Sequence, residues 1–164
     1  MIGAVVLAAG AATRFGSPKQ LLFLPRVLEA LRESPVDAIV VVEGAHPLGD
    51  VGLGEVTVVS CKDWERGPGA SLRCGLSALA PDADAAIVVL ADGPQLDPRA
   101  VERVVAHRHD ADVIAASYDG ERSHPVCLAR SIWAEIPDEG ARALTARLVP
   151  CDDLTPPGDV DTAG

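Results

Sequence analysis

The chain has 164 residues, 48% of them hydrophobic and 23% charged, a length that suits one domain spanning 1–164 and a mixture that excludes extended disorder. Its formal net charge of −10 excludes a surface that holds nucleic acid or an anionic membrane by general attraction. Cys61, Cys74, Cys127 and Cys151 form no C-x-x-C pair, so reduced thiols are expected rather than a zinc site or a disulfide framework.

Met1–Leu7 has no basic region ahead of its apolar run, and no apolar run approaches ~18 residues. Neither a signal peptide nor a membrane span is expected, and a cytoplasmic protein is the expectation. Val5-Val6-Leu7 reads as a buried strand that breaks at Gly10, followed by a loop to Lys19. Val27, Leu28 and Leu31 predict a helix over 26–32. The β-branched run Val36–Val42 predicts a second strand, 44–54 is a loop with four glycines and a proline, and 56–59 is a third strand. Leu72, Leu76 and Leu79 share one helical face and predict a helix over 69–79. Ala85–Ala91 is the strongest strand signal, stopped by Asp92-Gly93-Pro94. Asp97 and Pro98 predict a helix start, as cap and first helical residue, with Ala100, Val101, Val104 and Val105 as its buried stripe. Val113–Ala116 and Pro125–Leu128 read as strands, and 131–136 and 140–148 as short helices. Continuously apolar strands alternating with helices predict a mainly parallel sheet covered on both faces. Ligands bind such sheets beyond the carboxyl ends of the strands, where the 10–19 loop and Asp92-Gly93-Pro94 fall.

The 10–19 loop carries the clearest chemical signal. Gly10 and Gly16 allow a ligand to approach the backbone, whose N–H groups then form an anion cradle. Arg14 and Lys19 add two cations, and Lys19 is one of only two lysines in the chain. The spacing matches neither the Walker A loop nor G-x-G-x-x-G. A nucleotide's phosphates account for glycines and cations together, and an ordinary basic surface loop is the alternative from spacing alone.

Leu7-Ala8-Ala9-Gly10, Arg14-Phe15-Gly16 and Lys19 with Leu21-Leu22 together resemble the signature of the MobA-like nucleotidyltransferases, and within that group most resemble the molybdopterin cytidylyltransferases. Gly69–Leu76, Leu90–Leu96, Ser123–Val126, Gly140–Leu144 and Asp159–Thr162 resemble further blocks of that family in the same order. The resemblance implies a three-layer α/β/α sandwich with a Rossmann-like sheet, of the nucleotide-diphospho-sugar transferase type. It implies transfer of a nucleoside monophosphate from an NTP to a phosphorylated acceptor such as molybdopterin, with release of pyrophosphate. By the same resemblance the backbone of Leu7, Ala8, Ala9 and Gly10 and the helix start near Ser71 hold base and ribose. Arg14 and Lys19 hold the triphosphate, Asp92 binds Mg²⁺ and Asp161 completes the metal site, and His124 lies on the acceptor side. Arg14, Lys19 and Asp92 carry the catalysis. The L-A-A-G form favours CTP over GTP.

Each residue also has a plainer role. Asp92 suits a turn cap, Ser71 a helix start, His124 a loop hydrogen bond, Asp161 a solvated terminus, and Trp64 and Trp133 suit packing. The segments after Leu24 and over 44–54 are shorter than the family's pattern, on the side that receives the acceptor. Two alternatives therefore stand beside the first reading: a nucleotidyltransferase for a sugar phosphate or another small phosphate, and a non-catalytic nucleotide- or cofactor-binding accessory protein partnering a molybdenum hydroxylase.

Overall fold

A computed structural model describes residues 1–8, 20–43 and 56–158, with residues 20–22 described as backbone. Its elements are β1 (Ile2–Ala8), α1 (Gln20–Arg32), β2 (Ala38–Glu43), β3 (Thr57–Ser60), α2 (Pro68–Ser77), β4 (Ala85–Leu90), α3 (Pro98–Ala106), β5 (Val113–Tyr118), β6 (Glu121–Ala129) and β7 (Arg147–Pro150). Short 3-10 segments cover Trp64–Arg66, Arg130–Glu135 and Ala141–Ala143. The strands form one sheet in the order β3-β2-β1-β4-β6-β5-β7. All neighbouring pairs are parallel except the two made by β6, which runs antiparallel to both β4 and β5.

The apolar strands are buried on both faces because alternate side chains feed separate layers. Val5, Val40, Val42 and Val88 pack with Leu72 and Leu76 of α2. Val6, Val41, Ile87 and Val89 pack with Leu24, Val27, Leu28 and Leu31 of α1 and with Val101 and Val104 of α3. The result is the expected α/β/α sandwich. α2 lies close to the sheet because Gly75 has no side chain: a Cβ there would sit 2.6 Å from methyls of both Val5 and Val42.

Three segments differ from the sequence-based expectation. α1 starts at Gln20 rather than at 26 and runs through Pro25. An interior proline costs about 3 kcal/mol, but Leu24 extends the fully buried stripe of Val27, Leu28 and Leu31, and each such side chain returns about 1.5–3 kcal/mol. β6 begins at Glu121, before the apolar run, as the return arm of a hairpin through Asp119 and Gly120, both at positive φ. The helix expected over 140–148 is only the turn Ala141–Ala143, followed by β7. There the Arg122 guanidinium takes the carbonyls of Leu144 (2.6 Å) and Ala141 (2.9 Å), which removes the need for helical partners, and β7 covers the otherwise open edge of β5. The 44–54 loop lies outside the described residues. Among the described residues no helix is long and apolar enough to cross a membrane.

α3 starts as its sequence requires. Asp97 accepts a hydrogen bond from the Arg99 N–H at 2.9 Å, and Pro98 takes the first position. The Arg99 guanidinium beside Asp97 holds its carboxyl below the usual range. Asp97→Ala is expected to cost about 1 kcal/mol at neutral pH. Because the folded carboxyl is the stronger acid, its stabilisation is complete above the unfolded value of 3.8 and is lost as pH falls through the folded value. Urea unfolding of both proteins should show the gap closing in acid. A gap that widens there overturns the assignment.

Candidate active site

A cleft of about 640 Å³ opens at the carboxyl ends of β1 and β4. Its floor includes Leu7 and Leu90, which pair in register near the ends of these strands. They are half-buried, whereas Val5, Val6, Ile87 and Val88 before them are buried. The cleft is therefore what the sheet exposes where its two central strands run out. Pro68 and Leu72 of α2 form one wall. His124 and Val126 of β6 form another, because an antiparallel strand brings its first residues to the edge where β4 ends. Glu139, Gly140, Ala141 and Arg142 and the segment 156–158 complete the rim.

The α2 wall is tied to the rim by backbone contact. The Gly69 N–H donates to the Asp138 carbonyl at 2.9 Å. Arg73 donates to the Ile136 carbonyl and, at 2.6 Å, to the Asp138 carboxylate, which Arg66 also reaches at 3.4 Å. Arg122, through its two carbonyl contacts, holds the 141–144 part of the rim, and burial lowers its pKa from the ordinary value.

Burial pushes the His124 imidazole down to about 4; the Arg122 charge acts in the same direction and Asp92 opposes both. The ring facing the cleft is neutral at physiological pH. Its backbone carbonyl accepts a hydrogen bond from the Tyr118 hydroxyl at 3.2 Å, and burial pushes that phenol up to about 12.

Of the residues named from sequence, Leu7 and His124 line the cleft. Ala8 is the buried last residue of β1. Asp92 follows β4 by two residues, half-buried beside the cleft-lining Gly93. Ser71 lies in the first turn of α2 at 2% exposure; its neighbours Pro68 and Leu72, rather than Ser71 itself, line the cleft. Ala9, Gly10, Arg14, Lys19 and Asp161 lie outside the described residues. Trp133 packs as expected, buried with its indole N–H on the Leu128 carbonyl at 3.1 Å.

Sequence reading did not nominate Arg122, Glu139 or Arg142 for the site. Arg142 sits within the Gly140–Leu144 block, so its signal was present, but nothing in one dimension brings that block beside α2. Among the described residues no group of three His, Cys, Asp or Glu side chains could hold a metal ion. Asp92 supplies a hard oxygen donor at the strand edge. A single carboxylate suits Mg²⁺, which keeps waters and takes its remaining ligands from phosphate oxygens.

Known proteins resemble this chain in sequence and in fold. Over 130 residues the chain is 35% identical to the bifunctional protein GlmU of Mycolicibacterium vanbaalenii, a match covering 69% of this chain and 26% of that protein. The chain thus spans about a quarter of the length of the curated relatives it matches. The crystal structure of Rv0371c from Mycobacterium tuberculosis superposes with a TM-score of 0.87 at 29% identity, over 99% of this chain and 94% of that one. A complex of Rv0371c with manganese superposes with a TM-score of 0.83 at 26% identity, over 99% and 94%. With a family model for the MobA-like NTP transferase domain matching residues 4–151, the chain belongs to the MobA-like NTP transferase family.

Proposed function

We propose that this protein transfers a nucleoside monophosphate from an NTP, CTP in preference to GTP, to a phosphorylated small-molecule acceptor, releasing pyrophosphate. The observation that carries the reading is the cleft at the ends of β1 and β4 in a chain of this family. An oxygen of the acceptor's phosphate attacks the α-phosphorus in line. A new P–O bond forms as the bond to the β-phosphate breaks, and pyrophosphate leaves with the electron pair. The attacking oxygen is already ionised, so no general base is required, and the protein's work is positioning and charge neutralisation.

In this reading the backbone at Leu7, Ala8, Ala9 and Gly10 and the start of α2 near Ser71 receive base and ribose. Arg14 and Lys19 neutralise the triphosphate. Asp92, with Asp161, holds Mg²⁺, which when bound screens the charge building on the transferred and leaving phosphates. The complex of Rv0371c with manganese supports a divalent cation. Neutral His124 faces the acceptor as a hydrogen-bonding group without charge. The acceptor is a phosphomonoester such as molybdopterin, and a cytoplasmic location with a molybdoenzyme as recipient follows from that choice.

Thermal melting with an NTP panel and Mg²⁺ tests the binding step. A ligand at a hundred times its Kd stabilises the native state by about 2.7 kcal/mol, roughly 5 °C or more for a chain of this size. CTP is expected to give the largest shift, and Lys19→Ala to remove most of it. Unchanged melting with every NTP would sink the reading. A clear shift without pyrophosphate release from any phosphorylated acceptor would favour the non-catalytic accessory role.

A further inference from the structure

Two of the four cysteines meet away from the cleft, where β3 ends against α2. Cys61 directly follows β3, and its N–H donates to the Glu43 carbonyl at 3.1 Å. Its thiol donates across to the Ala70 carbonyl of α2 at 3.6 Å. Cys74 stands one helical turn beyond Ala70, on the same face of α2, and its thiol donates back to the Ser60 carbonyl at 3.7 Å. The Cys61 sulfur thus reaches the helical turn that carries Cys74, and the Cys74 sulfur reaches the residue beside Cys61. Cys61 is buried and Cys74 is half-buried. This gives one sulfur that solvent reaches and one behind it that solvent does not. Cys127 and Cys151 are buried in the layer on the other side of the sheet.

We propose that Cys61 and Cys74 are a redox modification site: Cys74 is the attacking thiol, Cys61 the resolving thiol, and a small-molecule disulfide the oxidant. The Cys74 sulfur attacks one sulfur of the disulfide; a Cys74 mixed disulfide forms and one small thiol leaves, carrying the proton. The Cys61 sulfur then attacks the Cys74 sulfur; the Cys61–Cys74 bond forms and the second small thiol leaves with the second proton. The protein pair loses two electrons and the small disulfide gains them. The bond would clamp the second turn of α2 to the end of β3, directly behind the helix start that walls the cleft. The inference rests on the thiol pair and is independent of the proposed transfer reaction.

Desolvation pushes the Cys74 thiol up to about 11, and Cys61 and the Asp63 carboxylate add to the effect. Exchange is therefore slow at neutral pH, and the test is run under mildly alkaline conditions. The folded full chain is incubated with glutathione disulfide, then unfolded in denaturant in the presence of an alkylating agent and digested with trypsin. Cleavage after Arg32, Lys62, Arg73 and Arg99 places the two cysteines on separate peptides, 33–62 and 74–99. The expected product is a cross-link between these peptides, with an intact mass before alkylation lower by two hydrogens, and with Cys127 and Cys151 then alkylated. Cys61→Ala should stop the reaction at a stable glutathione adduct on Cys74. Cys74→Ser, at the more exposed position, should give neither adduct nor cross-link. Full alkylation of all four cysteines after prolonged oxidation overturns the proposal, as does a wild-type adduct that persists on Cys74 without resolving.

Discussion

Asp92→Asn is expected to slow pyrophosphate release about a hundredfold or more while NTP affinity changes far less. Ala85–Leu90 is a buried strand at the centre of the sheet, so it delivers Asp92 rigidly to the edge where the cleft opens. Gly93 packs closely against the 157–158 segment, where a Cβ would lie only 3.3 Å from the Gly158 carbonyl oxygen, and so holds the following turn. Asparagine keeps the shape and one oxygen acceptor but removes the charge proposed to hold the divalent cation. The lost stabilisation falls on the transition state, where negative charge grows on the leaving pyrophosphate, and about 2.7 kcal/mol there is a hundredfold in rate. In the proposed reading, ground-state binding still has Arg14 and Lys19. Pyrophosphate release and NTP-induced melting shifts, measured side by side on both proteins, decide the matter. Equal rates would remove Asp92 from the metal site, and equal losses in rate and affinity would make it a binding residue only.

Gly69→Ala is expected to be the most damaging glycine-to-alanine change among the described residues. A Cβ at this position would lie 1.6 Å from the Pro137 carbonyl oxygen and 2.6 Å from its carbon. Both are backbone atoms, so no side-chain rotation relieves the clash. Moving α2 away would break the Gly69 N–H bond to Asp138 and strain the Arg73 contacts that hold the same segment. Overpacking into yielding side chains costs about 1–3 kcal/mol; here more than about 3 kcal/mol is expected, together with loss of the cleft's α2 wall. Gly120→Ala is the control. Nothing lies within 4 Å of a Cβ there, and only its φ of +83° opposes the change, a cost of about 1 kcal/mol. Urea unfolding of the two variants compares them directly. A Gly69→Ala loss no larger than that of Gly120→Ala would show that the α2–rim contact yields easily.

The sequence by itself determined the elements whose signals are local. The β-branched runs of β1, β2 and β4 bury whatever they meet, so they read as central strands without knowledge of their partners. Asp97-Pro98 carries its own cap and first-turn geometry, so α3 was legible to the residue. The ordered blocks from Leu7 to Leu144 were enough to indicate the family, and the carboxyl end of the strongest strand was enough to place Asp92 at the sheet edge. What only the tertiary structure decided depends on contacts between distant segments. α1 runs through Pro25 because burial of Leu24 outweighs a local penalty. The 140–148 segment is a turn and an edge strand because Arg122, some twenty residues upstream, takes its carbonyls and β5 offers an edge. The cleft's rim, with Arg142 and Glu139, exists because glycine at 69 lets two backbones touch. The Cys61–Cys74 pair exists because a strand end and a helix face meet, a proximity that spacing along the chain does not encode.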